Sequence, residues 1–476
     1  MANFNAFLDK KFKLSEKGTN VKIEVMAGLT TFMAMVYILM VNAGMFAELG
    51  VVSYGAMYIV TALSAIIGTV LIGLLSGLPL AQAPGMGLNA FLVYTMCFTF
   101  GFSYANALVF ILIDGLVFVA LTATGLREKI FKAIPEDIKK AIPAGIGLFI
   151  AFIGLQNAKL VIPSSSTGVT MGSMNLLANL PWASLVPLFV VVLGIIAIAT
   201  MSKLNVKGSI LWGILGSGVL YYSMLGLGAA FGDASSQAVF ASISMANPFD
   251  AFKEFGTQAF GKVFTEGFNF APYIEKNGVP NFVLMLITSA LAFCLVDMFD
   301  TLGTLYGACK SGNLLDEKGD VPNLNKAMLA DAIATTTGAI LGTSTVTTFV
   351  ESSAGCAAGG KTALTSYVVA ILFALAMFLS PVAQLIPSCA TATALIYVGV
   401  LMMNNVRDID WSDPAIALPS FLTIAMMPFT YNISFGIGFG LLSYVLIKVC
   451  TGKAKEISVA TYVLTAIFLL MFLFTH

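Results

Sequence analysis

Charged residues are scarce in this sequence. Only 10% of its 476 residues are Asp, Glu, Lys or Arg, whereas 58% are hydrophobic. Soluble domains carry roughly 25% charged residues, so this composition does not supply an ordinary water-exposed surface. The net charge is zero, and no basic patch interleaved with aromatic residues is present, so we expect no binding to nucleic acid. The shortage of charge predicts an integral protein of the lipid bilayer.

Histidine is almost absent and cysteine is sparse. The one histidine is the final residue, His476, so no metal site or proton relay inside the membrane can use histidine. The six cysteines have no C-x-x-C spacing and lie mostly in apolar segments, where cysteine behaves as a small hydrophobic residue. We therefore expect no metal, no cofactor and no enzymatic reaction.

Long apolar runs fill most of the chain. Each has about twenty residues, the length at which a helix crosses ~30 Å of hydrocarbon. No alternating strand pattern of a membrane barrel is present, which leaves an all-α polytopic bundle. The stretch 456–475 is either one more span or an interfacial helix. The expected spans are 23–47, 55–76, 79–100, 104–124, 141–157, 182–201, 208–231, 282–305, 327–344, 345–359, 364–382, 388–404, 414–430 and 431–450.

Two of these segments are poor continuous helices. Segment 79–100 contains AQAPGMGLNAF, and segment 345–359 contains TSTVTTFVESSAG. Glycine, proline and β-branched residues interrupt both, as expected of half-spans with a short extended stretch.

Lysine and arginine are distributed unevenly between the two sides of the membrane. With the N-terminus in the cytoplasm, 20 of them fall in cytoplasmic segments and four in extracytoplasmic ones. This bias predicts a cytoplasmic N-terminus. The stretch 126–142 is expected to be an amphipathic helix on the cytoplasmic face.

Acidic residues occur at positions where a bilayer disfavours them. Asp297, Asp300 and Glu351 lie within or beside Gly- and Thr-rich apolar stretches. Such carboxylates need a partner or a polar cavity, so the cluster indicates a pathway for a polar solute or a proton. Asp331 is expected near the cytoplasmic start of its span, where a helix-terminal role is favoured over substrate contact. Asp114 is a further intramembrane acid without an assigned role.

The chain also looks duplicated. Thr30 and Thr31 lie two spans before the first interrupted segment, and Asp300 and Thr301 lie two spans before the second. A repeat of seven spans starts its second copy from the opposite side of the membrane. The pattern therefore predicts two inverted seven-span repeats with the substrate near the midplane.

Four motifs in order give the sequence a specific resemblance: GLTTFMAMVYILMVN, QAPGMGLNAF, VDMFDTLGTL and GTSTVTTFVESSAG. Together they resemble the AzgA-like purine (hypoxanthine/guanine/adenine) permeases of the nucleobase–ascorbate transporter, or nucleobase:cation symporter, superfamily. The first motif of that family usually ends V-N-P, whereas this chain has Val41-Asn42-Ala43, which removes a kink point but no binding group.

The resemblance implies a fourteen-span, seven-plus-seven fold with a moving core domain, a gate domain, proton coupling and a homodimer. The corresponding divisions are a cytoplasmic segment 1–22, core 23–124, gate 125–231, an extracytoplasmic loop 232–281, core 282–386 and gate 387–476.

The resemblance also implies roles for individual residues. Asp300 would be the principal acid that binds the base, and Glu351 would hold its other edge. From the residues alone, each acid has a structural alternative: Asp300 bonded to threonine or backbone donors, and Glu351 satisfied at a helix terminus. Asp297 is a proton site, a supporting acid or a packing partner. The full set of candidate substrate contacts is Asp300, Glu351, Thr30, Thr31, Gly87, Asn89, Phe91 and Ser352, and the proton-coupling candidates are Glu351, Asp300, Asp297 and Asp331.

Three of these contacts have alternatives of their own. Phe91 either stacks on a planar base or packs like any other phenylalanine. Thr30 and Thr31 either bond the base or bond back to their own helix.

The function expected from these observations is proton-coupled uptake of a purine nucleobase across the cell membrane by an elevator-type mechanism. The alternative is a channel or exchanger for anions or small solutes on the related sulfate-transporter architecture. Two acids in the site would repel an anion, which disfavours that alternative.

Overall fold

The computed structural model describes residues 2–124, 135–175, 180–243 and 247–474. Up to residue 243 the described chain forms long helices joined by short loops, with a two-stranded hairpin in one loop. These elements are α1 Ala2–Phe12, α2 Val21–Met35, α3 Ile38–Ala47, α4 Tyr54–Ser76, β1 Gln82–Pro84, α5 Met86–Ala90 continued by π-helical turns over Phe91–Thr99, α6 Tyr104–Thr124, α7 Glu136–Asn157, β2 Val161–Ser164, β3 Gly168–Met171, α8 Trp182–Lys203, α9 Ser209–Ala230 and α10 Ala234–Ser242.

From residue 247 the described chain again consists mainly of helices joined by loops, with one short strand, β4. The elements are α11 Pro248–Glu254 continued by Phe255–Ala259, α12 Lys262–Thr265, α13 Ala271–Asn277, α14 Val279–Ser311, α15 Leu324–Leu341, β4 Val346–Thr348, α16 Ser352–Ala357, α17 Ala363–Ala376 followed by a 3-10 turn at Met377–Leu379, α18 Ser380–Ala383, α19 Ser388–Met402 continued by Met403–Asp408, α20 Pro414–Thr430, α21 Ile433–Cys450, a 3-10 turn at Ala454–Glu456 and α22 Val459–Phe474.

Helix length and composition agree with a multi-pass membrane protein. Among the described residues, ten helices are long and apolar enough to cross a bilayer, and three shorter apolar helices accompany them. The expectation of an all-α polytopic bundle is confirmed. The final helix α22 buries Phe468 and Met471 and packs against α14 and α21.

The two interrupted segments form a small antiparallel sheet inside the bundle. β1 pairs with β4 in the register Gln82 with Thr348, Ala83 with Thr347, and Pro84 with Val346. Two further bonds extend the pairing, because Gly85 N donates to Thr345 O and Phe349 N donates to Ala81 O. Proline disrupts helix and β-branched residues favour extended backbone, which accounts for strands here. The expected half-spans with extended stretches are confirmed.

One segment differs from expectation. A separate surface helix over 126–142 is wrong for its described part, because Glu136 begins α7, which runs on through the membrane-length segment. Ile138 and Ile142 are buried, and the Ile138 side chain approaches α21 at Gly440, so tertiary packing holds this stretch in the bundle. The remainder, 126–134, lies outside the described residues. The predicted extracytoplasmic loop 232–281 contains the short helices α10 to α13 among its described residues.

Helices beyond the small sheet pack in a reciprocal pattern. α8 and α9 pack on each other and on α19, whereas α20 and α21 pack on each other and on α7; α7 and α19 are themselves in contact. In the remaining bundle, α4 packs on α15 and α17, and α6 packs on α15. An inverted duplication produces such exchanged partners. The duplication and the core and gate divisions stay predictions.

Candidate functional site

The crossing of β1 and β4 positions the candidate site. Each strand is followed by a helix, α5 after β1 and α16 after β4. Because the strands are antiparallel, these two helices leave the crossing in opposite directions. The residues that follow the two strands therefore lie at opposite ends of this short pairing.

Asp300 lies beside this crossing. Thr347 Oγ1 of β4 donates a hydrogen bond of 3.3 Å to Asp300 Oδ2. Gly85, directly after β1, is so close that a Cβ atom there would lie 3.6 Å from the same oxygen. Asp300 is half-buried, whereas the adjacent Phe299 and Thr301 are buried. The carboxylate thus touches both interrupted segments and retains an accessible surface.

Glu351 lies at the other end of the crossing, immediately before α16. Its side chain makes no capping bond to that helix. Instead, its Oε1 atom accepts a hydrogen bond of 2.6 Å from the Tyr37 hydroxyl. Glu351 is half-buried like Asp300, and the two acids lie close enough for their charges to interact. The helix-terminal alternative for Glu351 is therefore replaced by a bond to another span.

A buried hydrogen-bond network supports the crossing from behind. Gln82 Nε2 donates to Asp331 Oδ1 and to Thr348 Oγ1, each at 3.2 Å. Thr301 Oγ1 donates to Asp331 Oδ2 at 2.8 Å. Asp331 thus links α14, α15 and β1.

The helix-terminal expectation for Asp331 is wrong. The residue lies well inside α15 and is completely buried. The sequence did not show the partners that hold Asp331 in place, because Gln82 and Thr301 lie on other segments.

Asn89 and Ser352 tie the two interrupted segments together. Asn89 is buried, donates to Pro84 O at 3.3 Å, and accepts a short hydrogen bond from Ser344 Oγ. Ser352 Oγ accepts from Ala81 N at 3.0 Å. In this conformation both polar side chains are occupied by protein partners.

Thr30 and Thr31 lie on α2 and are buried. Thr30 Oγ1 donates to Met26 O at 2.8 Å, which is the back-bonding alternative. Thr31 packs against Gly355 of α16, where any Cβ atom would overlap its hydroxyl. The structure therefore places these threonines in helix packing beside the site.

Phe91, Gly87 and Asp297 also occupy packed positions. The Phe91 ring is buried, with its centroid 4.7 Å from that of Phe293 on α14. A Cβ atom at Gly87 would overlap Ile146 of α7, so glycine permits close contact there. Asp297 is completely buried one turn before Asp300 on α14. The accessible polar groups that converge at the crossing are thus those of Asp300 and Glu351.

Sequence reasoning missed two residues of the site. Tyr37 is one of 14 tyrosines in an apolar chain, and nothing in its local sequence distinguishes it. Thr347 lies in a threonine-rich run, whose alternation along a strand could have indicated which side chains face the acid. Within the described ranges, no group of three or more His, Cys, Asp or Glu side chains is arranged to hold a metal ion.

Comparison with known proteins identifies relatives along nearly the whole chain. Residues 22–439 match the profile Xan_ur_permease, described as "Permease family". A putative permease of Methanocaldococcus jannaschii is 39% identical over 469 residues, covering 98% of both chains. The guanine/hypoxanthine permease PbuO of Bacillus subtilis is 37% identical, covering 96% of this chain and 98% of its own. The adenine permease AdeP of Escherichia coli is 33% identical, covering 98% and 96%.

A solved structure supports the fold. The transmembrane domain of the cyanobacterial bicarbonate transporter BicA aligns with a TM-score of 0.60 at 15% identity, covering 87% of this chain and 97% of that one. At this identity the likeness concerns the fold alone. The family match and the relatives agree with the four sequence motifs. The chain therefore belongs to the permease family and, within it, to the AzgA-like purine permeases, which makes it a multi-pass membrane transport protein rather than an enzyme.

Proposed function

We propose that this chain takes up purine nucleobases, guanine and hypoxanthine foremost, with adenine as a further substrate. One observation carries the proposal: Asp300 and Glu351, both half-buried, converge at the crossing of the two interrupted segments. The relatives named as guanine/hypoxanthine and adenine permeases support the same substrate class.

A purine offers donors that suit two carboxylates. Guanine presents N1–H and a neighbouring exocyclic N–H in parallel, and a carboxylate accepts such a pair through both oxygens. Hypoxanthine presents N1–H alone on that edge. Adenine has an acceptor at N1, so its binding requires a protonated acid. Asp300 is the acid we assign to this edge, with Glu351 on the opposite one.

Proton coupling follows from the proximity of the acids. Two negative charges held close together in a partly buried site repel each other, so the pair favours holding one proton. In the proposed cycle the proton enters from outside, neutralises the loaded site and leaves on the cytoplasmic side. Glu351 and Asp300 are the first candidates for this proton, with Asp297 and Asp331 behind them.

Movement of the site across the membrane completes the proposal. Residues 23–124 and 282–386 form the moving core that contains both acids, and residues 125–231 and 387–476 form the gate. The chain lies in the cell membrane with its N-terminus in the cytoplasm, as the 20-to-4 distribution of Lys and Arg supports. A homodimer through the gate would hold that part still while the core moves.

Exchange of anions is the competing function. The likeness to a bicarbonate transporter concerns the fold, and folds of this kind host different substrates. Two acids at the crossing disfavour an anionic ligand there. Competition of labelled hypoxanthine uptake by purines, and no competition by bicarbonate or sulfate, separates the two functions.

The direct test uses Asp300→Asn and Glu351→Gln in cells that lack their own purine permeases. Both variants are expected to lose at least about 90% of hypoxanthine uptake, because each removes a charged acceptor. Glu317→Gln changes an exposed acid in a loop and serves as the matched control. Membrane levels are measured for all three. Retained uptake in both site variants would refute the assignment.

A further inference from the structure

The first membrane span is interrupted at Val36 and Tyr37, between α2 and α3. Leu39 N donates to Val36 O and Met40 N donates to Tyr37 O, so the backbone tightens into a three-residue turn at this point. Tyr37 is completely buried there, and its hydroxyl donates a hydrogen bond of 2.6 Å to Glu351 Oε1. A span distant in sequence thus holds one of the two acids of the site.

This bond restricts what Glu351 can accept from a ligand. A carboxylate accepts donors at two oxygens, and a phenol keeps its proton at neutral pH. The O–H of Tyr37 is therefore a lasting donor to Oε1, in a short bond that is charge-assisted while Glu351 is ionised. Because Tyr37 is buried and Glu351 is only half-buried, the carboxylate is anchored on one side and accessible on another.

Asp300 is held less firmly. Its Oδ2 atom accepts from Thr347 at 3.3 Å, a longer bond from a neutral alcohol that can rotate away. The two acids of the site are therefore held differently. Glu351 has one oxygen engaged in a short bond, whereas both oxygens of Asp300 remain able to accept a donor from a ligand. A ligand with a different number of donors on each edge matches this inequality.

We propose that Tyr37 is a positioning residue that makes Glu351 a one-oxygen acceptor for the imidazole edge of a purine. This inference rests on the purine transport proposed above. The imidazole ring carries a single N–H, on N7 or N9, whereas the opposite edge of guanine carries two parallel N–H groups. Tyr37 thereby assigns Glu351 to the edge that all purine bases share and leaves Asp300 to read the edge that differs between them.

The test compares Tyr37→Phe with Tyr58→Phe in the full-length protein reconstituted into liposomes. Each variant removes one buried hydroxyl; the Tyr58 hydroxyl donates to Ala376 O at 3.0 Å, on a segment that carries neither acid. In Tyr37→Phe the KM for uptake is expected to rise about tenfold for both hypoxanthine and guanine, with Vmax within about twofold of wild type. Tyr58→Phe is expected to keep the wild-type KM.

The equal rise for the two bases is the decisive readout, since they share the imidazole edge and differ at the other. An unchanged KM in Tyr37→Phe overturns the proposal, as does a rise confined to guanine, which would place Glu351 at the opposite edge. An equal rise in Tyr58→Phe also overturns it, because the effect would then be a general loss of packing. If wild-type protein takes up neither base, purine transport itself has failed, and that result is distinct from any effect of Tyr37.

Discussion

Asp331 and Asp300 lie on successive long helices and carry the same side chain, but their surroundings differ. Asp331 accepts hydrogen bonds from Thr301 and Gln82 and is completely buried. Asp300 has a long bond from Thr347 and remains half-buried. A buried acid whose oxygens both accept protein donors stabilises the structure, whereas an accessible acid is available to a ligand.

Replacement of Asp331 by Asn tests this division. The amide keeps one acceptor oxygen but loses the negative charge that strengthens the bonds from Gln82 and Thr301, and its NH2 group would reverse or break one of them. We expect a loss of about 1–3 kcal/mol in stability, seen as a lower melting temperature of the purified protein. Asp300→Asn is expected to leave the melting temperature near that of wild type. Equal melting temperatures for Asp331→Asn and wild type would contradict the structural role.

The sequence predicted the role of a residue where that residue type is energetically unfavourable in its surroundings. Asp300 and Glu351 are conspicuous because hydrocarbon disfavours carboxylates. Tyr37 is not conspicuous in the sequence, since a tyrosine fits an apolar span and its role depends on a partner 314 residues away. From the sequence, Thr30 could equally have bonded a ligand or its own helix, and the structure shows the bond to its own helix.

The interrupted helices owe their positions to close packing through small residues. Gly28 of α2 faces α17, where a Cβ atom would lie 2.7 Å from Val368 Cβ. Gly355 of α16 faces α2, where a Cβ atom would overlap the Thr31 hydroxyl and approach Ala27 O at 2.7 Å. Because α16 follows Glu351 directly, this contact helps fix the acid relative to Tyr37 at the end of α2.

Gly355→Ala therefore tests whether the packing of α16 controls the site. Overpacking costs about 1–3 kcal/mol, and we expect α16 to shift, with hypoxanthine uptake falling at least about fivefold. Gly216→Ala on α9 is the control, because a Cβ atom there meets nothing within 4 Å. Uptake and membrane level are measured together. Wild-type uptake by Gly355→Ala would show that the contact tolerates a methyl group without effect on the site.

At the scale of elements, the interruptions were predictable and their pairing was not. Proline, glycine and β-branched residues in the segments AQAPGMG and TSTVTT indicate extended backbone. The register of Gln82 with Thr348 joins residues 266 positions apart in the sequence, and no local pattern indicates that both are buried. The prediction of a surface helix was wrong for 136–142 for a related reason. The amphipathic pattern of this stretch reflects packing of α7 against other helices rather than contact with a membrane surface.

Across the whole molecule, the proposed core and gate contact each other through polar groups at one end of the bundle. Asn157 of the gate donates to Glu48 Oε1 at 3.2 Å, and Tyr94 of the core donates to Glu48 Oε2 at 3.0 Å. Thr95 of the core donates to Tyr431 O of the gate at 2.6 Å. With a cytoplasmic N-terminus, this end is the extracytoplasmic one. Movement of the core past the gate must break these bonds.

Cross-linking tests this movement. Glu48→Cys with Asn157→Cys, in a background whose six cysteines are replaced, is expected to lose uptake on cross-linking and regain it on reduction. Ser76→Cys with Asn323→Cys is the control, since Asn323 Nδ2 donates to Ser76 O at 3.0 Å within the proposed core. That pair is expected to cross-link without loss. Uptake that survives a linked Glu48–Asn157 pair would exclude relative motion of the two parts there.

Proton coupling is also a property of the whole molecule. If the acid pair carries one proton with each base, collapse of the pH gradient by an uncoupler abolishes accumulation above the external concentration. Imposed gradients of H⁺ and of Na⁺ across liposomes separate the two coupling ions. Accumulation driven by Na⁺ at equal pH would contradict the proton mechanism.

The most direct measurement is an experimental structure of the purified protein with hypoxanthine bound. The base is predicted to lie at the crossing of β1 and β4, with ring nitrogens about 2.7–3.2 Å from oxygens of Asp300 and Glu351 and the Tyr37 hydroxyl still on Glu351 Oε1. Hypoxanthine bound elsewhere, with both carboxylates engaged only by protein groups, would contradict the account.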